Sequence, residues 1–245
     1  PHFGIGGDGI ILISPSDRAD AQMRIFNADG SEGKMCGNGI RCVGKYLYDN
    51  GMVGGRTTIT IDTLSGVKTL ELHVRDGKMQ TARVDMGAAI LEPAKIPVNM
   101  AGSSVIDAPL VVDEKVYHVT CVSMGNPHCV IFFNEDDVDD LDLSRLGPKF
   151  EHHPLFPERI NTEFVNVLPD GSLKMRVWER GSGETWACGT GACATGVAAC
   201  LNGFCKPDTD ITVHLRGGDL TIRYTTETVF MTGAAATVFK GEIEL

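Results

Sequence analysis

The chain has 245 residues and a mass of 26.3 kDa, with 32 acidic against 22 basic residues and a net charge of -10. That length is enough for one large domain or two of ordinary size. The acidic excess argues against a nucleic-acid-binding protein, because such proteins neutralise phosphates with Lys and Arg. No stretch approaches the ~20 continuous apolar residues of a membrane span.

A glycine-rich segment precedes the first predicted strand. Gly4, Gly6 and Gly9 match the G-x-G-x-x-G pattern of dinucleotide-binding turns, but that turn needs a strand before it and a helix after it. The residues that follow, 10–13, are Ile-Ile-Leu-Ile and predict a strand. We therefore interpret the glycines as a turn and not as a nicotinamide site.

An internal repeat organises the chain. Residues 23–51 align with residues 175–203 without a gap at an offset of 152, and 9 of the 29 positions are identical. Residues 60–72 and 84–89 resemble residues 212–224 and 230–235 at nearly the same offset. Self-similarity of this kind predicts two copies of one folding unit.

Each copy predicts the same order of elements: a strand, a polar loop, a C-G-x-G turn and a helix that ends at Asn-Gly. The first helix has one apolar face, whereas the second, at 192–201, is apolar all round and should be enclosed by sheet. The acidic run 135–142 predicts a solvated loop and a helix start, and 92–114, with three prolines, predicts a connection. The alternating and apolar patterns predict strands at 23–27, 57–63, 68–74, 80–86, 128–133, 162–168, 173–179, 211–216 and 220–226.

These elements predict an α+β fold of two pseudo-symmetric domains, each a mostly antiparallel sheet wrapped around a central helix. We expect the first half to cover residues 1–114 and the second to cover 115–245, with the last strand, at about 234–245, returning to the first half.

Two of the eight cysteines stand out. The close pairs among the eight cysteines do not have the spacing of zinc knuckles. The chain is long enough to fold without disulfides, and this favours free thiols in a reducing cytoplasm. Cys36 and Cys188 lie at matching positions of the repeat, each directly before a helix, where unpaired N–H groups and the helix dipole favour a thiolate. The glycines that follow allow backbone amides to approach an anion. If the halves pack face to face, a carboxylate could be held with one thiol on each side of its α-carbon. We expect the other six cysteines to be core residues.

Three segments, FNADGSEGKMCGNGIRC, MGNPH and WERGSGETWACGTGACA, resemble the diaminopimelate epimerases, and the similarity covers essentially the whole chain. The resemblance implies a homodimeric, cytoplasmic isomerase that uses neither pyridoxal phosphate nor metal. It implies interconversion of LL- and meso-2,6-diaminopimelate, a small-molecule substrate of lysine and peptidoglycan precursor biosynthesis, by a two-cysteine acid/base mechanism. No nucleic acid or membrane partner is expected.

The resemblance also implies roles for individual residues. Cys36 and Cys188 match the acid/base pair, the first as proton donor and the second as proton acceptor, with the roles exchanged in reverse. His128 and Glu179 match positions that tune the thiols. The matches to substrate-binding positions are Asn27, Gly37, Asn38, Asn126, Asn161, Glu179, Arg180, Gly189 and Thr190.

One departure from the family and two alternatives remain at this point. The family begins with a strand and a G-x-G-N-D-F turn whose Asn contacts substrate, and we expect these upstream of Pro1. A proline racemase would also use two cysteines, but it typically has His in place of Asn38. A non-catalytic amino-acid-binding module would leave the symmetric thiols without a purpose.

Overall fold

The computed structural model describes residue 7 and residues 9–27 and 30–242, so the initial glycine turn lies largely outside the described residues. It divides into two compact units, unit 1 (Pro1–Asp85 with Thr232–Leu245) and unit 2 (Met86–Met231). The division lies earlier in the chain than the 114/115 boundary expected from the sequence.

Unit 1 holds a sheet around one helix. Its strands run in the order β1-β2-β4-β5-β6, with β3 beside β2, and of these pairs only β2 with β4 is parallel. The elements are β1 (Gly9–Ser14), β2 (Ala21–Asn27), β3 (Glu32–Gly33), α1 (Gly37–Asp49), β4 (Thr58–Thr63), β5 (Gly66–Arg75) and β6 (Lys78–Gly87), whose end reaches unit 2.

Unit 2 holds a larger sheet. Its strands run in the order β14-β13-β11-β10-β9-β8-β7, with β12 beside β11, and β10 with β9 and β11 with β13 are parallel. The elements are β7 (Ala108–Val112), β8 (Lys115–Ser123), β9 (Pro127–Phe133), α2 (Leu143–Glu151), β10 (Asn161–Val167), β11 (Leu173–Glu179), β12 (Gly183–Thr185), α3 (Gly189–Leu201), β13 (Ile211–Leu215) and β14 (Gly218–Tyr224). A last strand, β15 (Val229–Ala234), crosses from unit 2 into unit 1.

The repeat extends to strand register. Ile11 pairs with Ile25 in unit 1, and Glu163 pairs with Val177 in unit 2. Each residue of the second pair lies 152 positions after its counterpart in the first. The β4–β5 and β13–β14 hairpins correspond in the same way, and α1 and α3 have 13 residues each. The predicted α+β fold with a mostly antiparallel sheet around a helix in each unit is confirmed.

The two central helices differ as their sequences predict. One face of α1 is buried, and the ideal Cβ position at Gly44 lies 3.0 Å from Leu70 and 3.2 Å from Leu72, both of β5. In α3 every residue from Ala192 to Ala199 is buried. The small side chains of α3 allow the strands to pack closely around it.

Two expectations need correction. Residues 92–114 are not only a connection, because Ala108–Val112 forms β7, which pairs with β8 of unit 2. No strand is described at 235–242, which are largely exposed and carry Val238 and Phe239 on the surface. The expectation of a solvated loop and a helix start at 135–142 is confirmed, since the acidic residues of the run are exposed and Asp142 caps α2 by accepting a hydrogen bond from the Arg145 N–H. Among the helices of the described residues, none is long and apolar enough to cross a membrane.

Candidate active site

Cys36 and Cys188 are the N-cap residues of α1 and α3. The Gly39 N–H donates to Cys36 Sγ at 3.3 Å, and the Gly191 N–H donates to Cys188 Sγ at 3.4 Å. Both cysteines have extended backbone, with φ -134° and ψ 115° at Cys36 and φ -118° and ψ 107° at Cys188, as an N-cap requires. Sulphur takes the place of the usual capping oxygen, so the helix start stabilises a thiolate directly.

The glycine that donates to each sulphur has no room for a side chain. A Cβ at Gly39 would lie 2.5 Å from Ile11 Cδ1, and a Cβ at Gly191 would lie 2.6 Å from Glu163 Oε1. The two thiols therefore share a geometry but not their surroundings. Unit 1 places an aliphatic side chain behind the glycine, and unit 2 places a carboxyl group there.

A chain of hydrogen bonds links Cys188 to other residues of unit 2. Thr190 Oγ1 lies 3.5 Å from Cys188 Sγ and accepts from Asn126 Nδ2 at 3.2 Å. Asn126 Oδ1 lies 3.0 Å from His128 Nε2, and His128 Nδ1 lies 2.7 Å from Glu163 Oε1. Four residues predicted from the sequence are thus linked, and Glu163 ends the chain.

The surroundings of Cys188 oppose its ionisation in the resting state. Burial raises the pKa of the Cys188 thiol well above its ordinary value, and the negative charges of Glu179 and Glu163 raise it further. The Thr190 hydroxyl and the Gly191 N–H lower this pKa. Cys188 is therefore a protonated thiol whose thiolate has hydrogen-bond donors in place.

A second group of predicted residues lies at the ends of β10 and β11. Asn161 Nδ2 donates to the Pro127 carbonyl at 2.8 Å, and the Arg180 N–H donates to Asn161 Oδ1 at 2.8 Å. Both polar atoms of the Asn161 amide thus bind backbone, and its contact with substrate stays a prediction. The Arg180 side chain donates to the Glu158 carbonyl at 2.8 Å and is half-buried.

The turn after β11 is anchored from α2. Glu151 accepts from Trp178 Nε1 at 2.7 Å, from the Gly181 N–H at 2.9 Å and from Arg159 Nη1 at 3.2 Å. Glu179, at the end of β11, accepts a short hydrogen bond from the Thr185 hydroxyl. The turn that presents Arg180 is therefore fixed on both sides.

The predicted residues of unit 1 lie near the start of α1. Gly37 and Asn38 form its first turn, and the Gly37 carbonyl accepts from Arg41 Nη1 at 3.0 Å. Asn27, at the end of β2, donates to Ser31 Oγ at 3.0 Å and is exposed. Asn27 corresponds to Glu179 at the offset of 152, so the repeat places a polar side chain before each thiol.

Glu163 was missed from the sequence. Its signal was a charged residue inside the predicted strand 162–168, and in the structure its neighbours Thr162 and Phe164 are buried. The expectation of six core cysteines is right for Cys121, Cys129 and Cys193 and wrong for three others: Cys42 is exposed, and Cys200 and Cys205 are half-buried. Within the part of the chain that the structure describes, no group of three or more His, Cys, Asp or Glu side chains could hold a metal ion.

The fold of the chain is shared with several solved proteins. The fold matches a hydroxyproline epimerase from Agrobacterium vitis with bound trans-4-OH-L-proline (TM-score 0.69, 18% identity, 92% of this chain and 71% of that chain). It also matches a probable proline racemase from Agrobacterium radiobacter (TM-score 0.73, 15% identity, 97% and 76%) and a PhzF-family phenazine biosynthesis protein from Bacillus anthracis (TM-score 0.64, 15% identity, 93% and 82%).

The chain belongs to the diaminopimelate epimerase family, whose model matches residues 1–92 and 120–238. It is 56% identical over 253 residues to a diaminopimelate epimerase of Agathobacter rectalis, covering 100% of this chain and 87% of the relative. The enzymes of the same name from Acetivibrio thermocellus and Methanococcus maripaludis are 55% and 50% identical over 246 residues, covering 100% of this chain and 86% and 87% of the relatives.

Proposed function

We propose that this chain interconverts LL- and meso-2,6-diaminopimelate, a step of lysine and peptidoglycan precursor biosynthesis, with Cys36 and Cys188 acting on opposite faces of one α-carbon. The observation that carries the proposal is the matched pair of N-cap thiols, each with a first-turn N–H directed at its sulphur. The family membership supports the substrate.

The reaction needs no net redox change. The thiolate of one cysteine takes the α-hydrogen as a proton, and the electron pair of the C–H bond passes into the adjacent carboxylate as an enediolate. The thiol of the other cysteine then donates its proton to the opposite face of the carbon. The product has the inverted configuration, and the two cysteines have exchanged their protonation states.

Stabilisation of the enediolate carries most of the rate enhancement. Gly37 and Asn38 begin α1, and Gly189 and Thr190 begin α3, so their N–H groups lie at the positive ends of the two helix dipoles. Such amides are fixed before the reaction and directed at developing negative charge, which is the most effective form of electrostatic catalysis.

The polar residues give specificity for a substrate with a second amino-acid end. Arg180 is the candidate partner of a carboxylate, since a guanidinium binds it through two parallel hydrogen bonds. Asn27, Asn126, Asn161 and Glu179 are the candidates for the remaining amino and carboxylate groups. A substrate such as proline has no distal end to use them.

The proposal includes a cytoplasmic homodimer. All eight cysteines are free, and a mechanism based on two thiols depends on a reducing compartment. The homodimer is proposed from the resemblance to the diaminopimelate epimerases. Light scattering at micromolar concentration measures the oligomeric state, and a monomer would contradict this part of the proposal.

Isotope exchange tests the two-thiol mechanism. Because each thiol carries one proton on its own face, the hydrogen removed by one is not the hydrogen delivered by the other. In deuterated water, early product from LL-diaminopimelate should carry deuterium at the inverted carbon while the remaining substrate stays unlabelled. Substantial unlabelled product would refute the mechanism.

Two variants and a second substrate complete the test. Cys36→Ala and Cys188→Ala should each abolish epimerisation with unchanged circular dichroism, and Cys200→Ala, in the last turn of α3 at the opposite end from its cap, is the control. L-proline should not be racemised. Turnover of proline but not of diaminopimelate would assign the chain to a different racemase.

A further inference from the structure

Glu163 breaks the internal symmetry at one of the two thiols. Its counterpart at the offset of 152 is Ile11, and the two side chains occupy the same place, against the glycine whose N–H donates to the cysteine sulphur. Unit 1 fills this place with a half-buried aliphatic group, and unit 2 fills it with a carboxyl group that is fully buried. A charged residue is not needed to fill the space.

The buried carboxyl group forms a proton-holding pair with His128. Nδ1 of His128 lies 2.7 Å from Glu163 Oε1, so one proton lies between them. Nε2 faces Asn126 Oδ1, which is an acceptor because Asn126 Nδ2 donates to Thr190. Nε2 therefore carries a proton too, and the pair has no net charge whichever partner holds the shared proton.

The arrangement is costly for folding. Glu163 Oε2 is buried and has no hydrogen-bond partner among the described residues. Burial raises the pKa of Glu163, and the charge of His128 lowers it. A buried carboxyl group with one unpaired oxygen destabilises a fold relative to an apolar residue of similar size, and groups of this kind concentrate at functional sites.

We propose that Glu163 is the positioning residue for Cys188: it holds His128, and through Asn126 and Thr190 the hydroxyl that faces the sulphur, and it makes this thiol chemically different from Cys36. This inference rests on the proposed function, because it concerns the thiol to which that function assigns proton transfer.

The electrostatic consequence has a definite sign. Within the neutral pair, the carboxyl group of Glu163 and not the imidazole of His128 lies against Gly191, whose N–H donates to Cys188 Sγ. The carboxyl group is therefore the end of the pair nearer the sulphur. When the shared proton lies on His128, the negative charge of the carboxylate disfavours the Cys188 thiolate. The groups that act on the Cys188 thiol are Glu179 of β11, Glu163 of β10, and Thr190 and Gly191 of α3, and His128 of β9 acts through its hydrogen bond with Glu163.

Two variants separate charge from hydrogen bonding. Glu163→Gln keeps the shape and a hydrogen-bond partner for His128 but carries no charge. Glu163→Ile installs the residue of unit 1 and removes both. Glu92→Gln, which removes an exposed carboxylate of unit 2 that is paired with Lys95, is the matched control.

The main readout needs no turnover. The rates of alkylation of Cys188 and Cys36 by iodoacetamide are measured against pH in the same sample by site-resolved mass spectrometry. Both variants replace the neutral pair by a neutral imidazole beside an uncharged side chain, which removes the negative end near the sulphur together with the more distant positive end. We expect the pKa of Cys188 to fall, and since part of the gain in thiolate is offset by lower nucleophilicity, alkylation below the midpoint should be faster by up to about threefold. We expect this at Cys188 in both Glu163 variants and no change at Cys36 or in Glu92→Gln.

The pH profile of epimerisation is the second readout. The alkaline limb of kcat/KM should move to lower pH by the same amount in both reaction directions, because the equilibrium constant fixes their ratio. Glu163→Gln should retain more kcat than Glu163→Ile, since Gln still binds His128. Unchanged alkylation of Cys188 in both variants, or an equal change at Cys36, would overturn the inference while leaving the proposed function intact. If the alkylation shift is present but the unmodified protein does not turn over diaminopimelate, the proposed function is overturned and the role of Glu163 beside Cys188 stands.

Discussion

Substitution of Gly191 by Ala tests how tightly the Cys188 environment is built. The helical backbone at Gly191 accepts Ala without strain, so the effect comes from the added methyl group. That Cβ would lie 2.6 Å from Glu163 Oε1 and 3.3 Å from Cys188 Sγ, about 0.8 Å short of ordinary contact with the carboxyl oxygen. The oxygen cannot move away without lengthening its 2.7 Å hydrogen bond to His128.

The matched substitution Gly39→Ala meets a movable group. There the new Cβ would lie 2.5 Å from Ile11 Cδ1, the end of a half-buried side chain that can rotate. Overpacking a rigid site costs about 1–3 kcal/mol, and Ala gains up to about 1 kcal/mol over Gly in a helix. We expect Gly191→Ala to lower the free energy of unfolding by about 1–2 kcal/mol and Gly39→Ala to change it by less than about 0.5 kcal/mol.

Urea unfolding measures both variants. The protein has two tryptophans, Trp178 and Trp186, both in unit 2, so their fluorescence reports that unit directly, and far-ultraviolet circular dichroism reports the whole chain. Gly191→Ala should also lose most epimerase activity, because the shifted carboxyl group disturbs the chain that ends at Cys188. Equal unfolding midpoints for the two variants would refute the rigid contact at Gly191.

Two further substitutions test the site and the repeat. Arg180→Met should raise KM for diaminopimelate more than tenfold by removing a bidentate carboxylate partner, and unchanged kcat/KM would remove Arg180 from the site. Arg176→Lys should cost about 3 kcal/mol, because the buried guanidinium donates to Glu184 through Nε and Nη2 and to three carbonyls through Nη1. Its repeat counterpart Arg24 makes the same pair with Glu32 at the surface. Arg24→Lys should therefore leave the urea midpoint unchanged. Equal shifts of the midpoint in the two lysine variants would contradict this difference in burial.

The local elements of this protein were determined largely by its sequence. The offset of 152 predicted two equivalent units, and the aligned registers of β1–β2 and β10–β11 follow it residue by residue. The two helices were predictable because Cys-Gly starts and Asn-Gly ends are local signals that depend on backbone geometry. The enclosure of α3 followed from its lack of a polar face.

The surroundings of each thiol were decided only by the tertiary structure. Sequence gives Cys36 and Cys188 as equals, since both cap a helix and both precede Gly. Glu163 is 25 residues before Cys188, in a strand that carries no motif, and only the packing of β9 and β10 against α3 brings its carboxyl group to His128 and Gly191. Strand register and helix packing depend on contacts distant in the chain, and a single sequence does not record which side chain fills a given place behind a glycine. The asymmetry between the two thiols therefore belongs to the fold, although the thiols themselves could be found in the sequence.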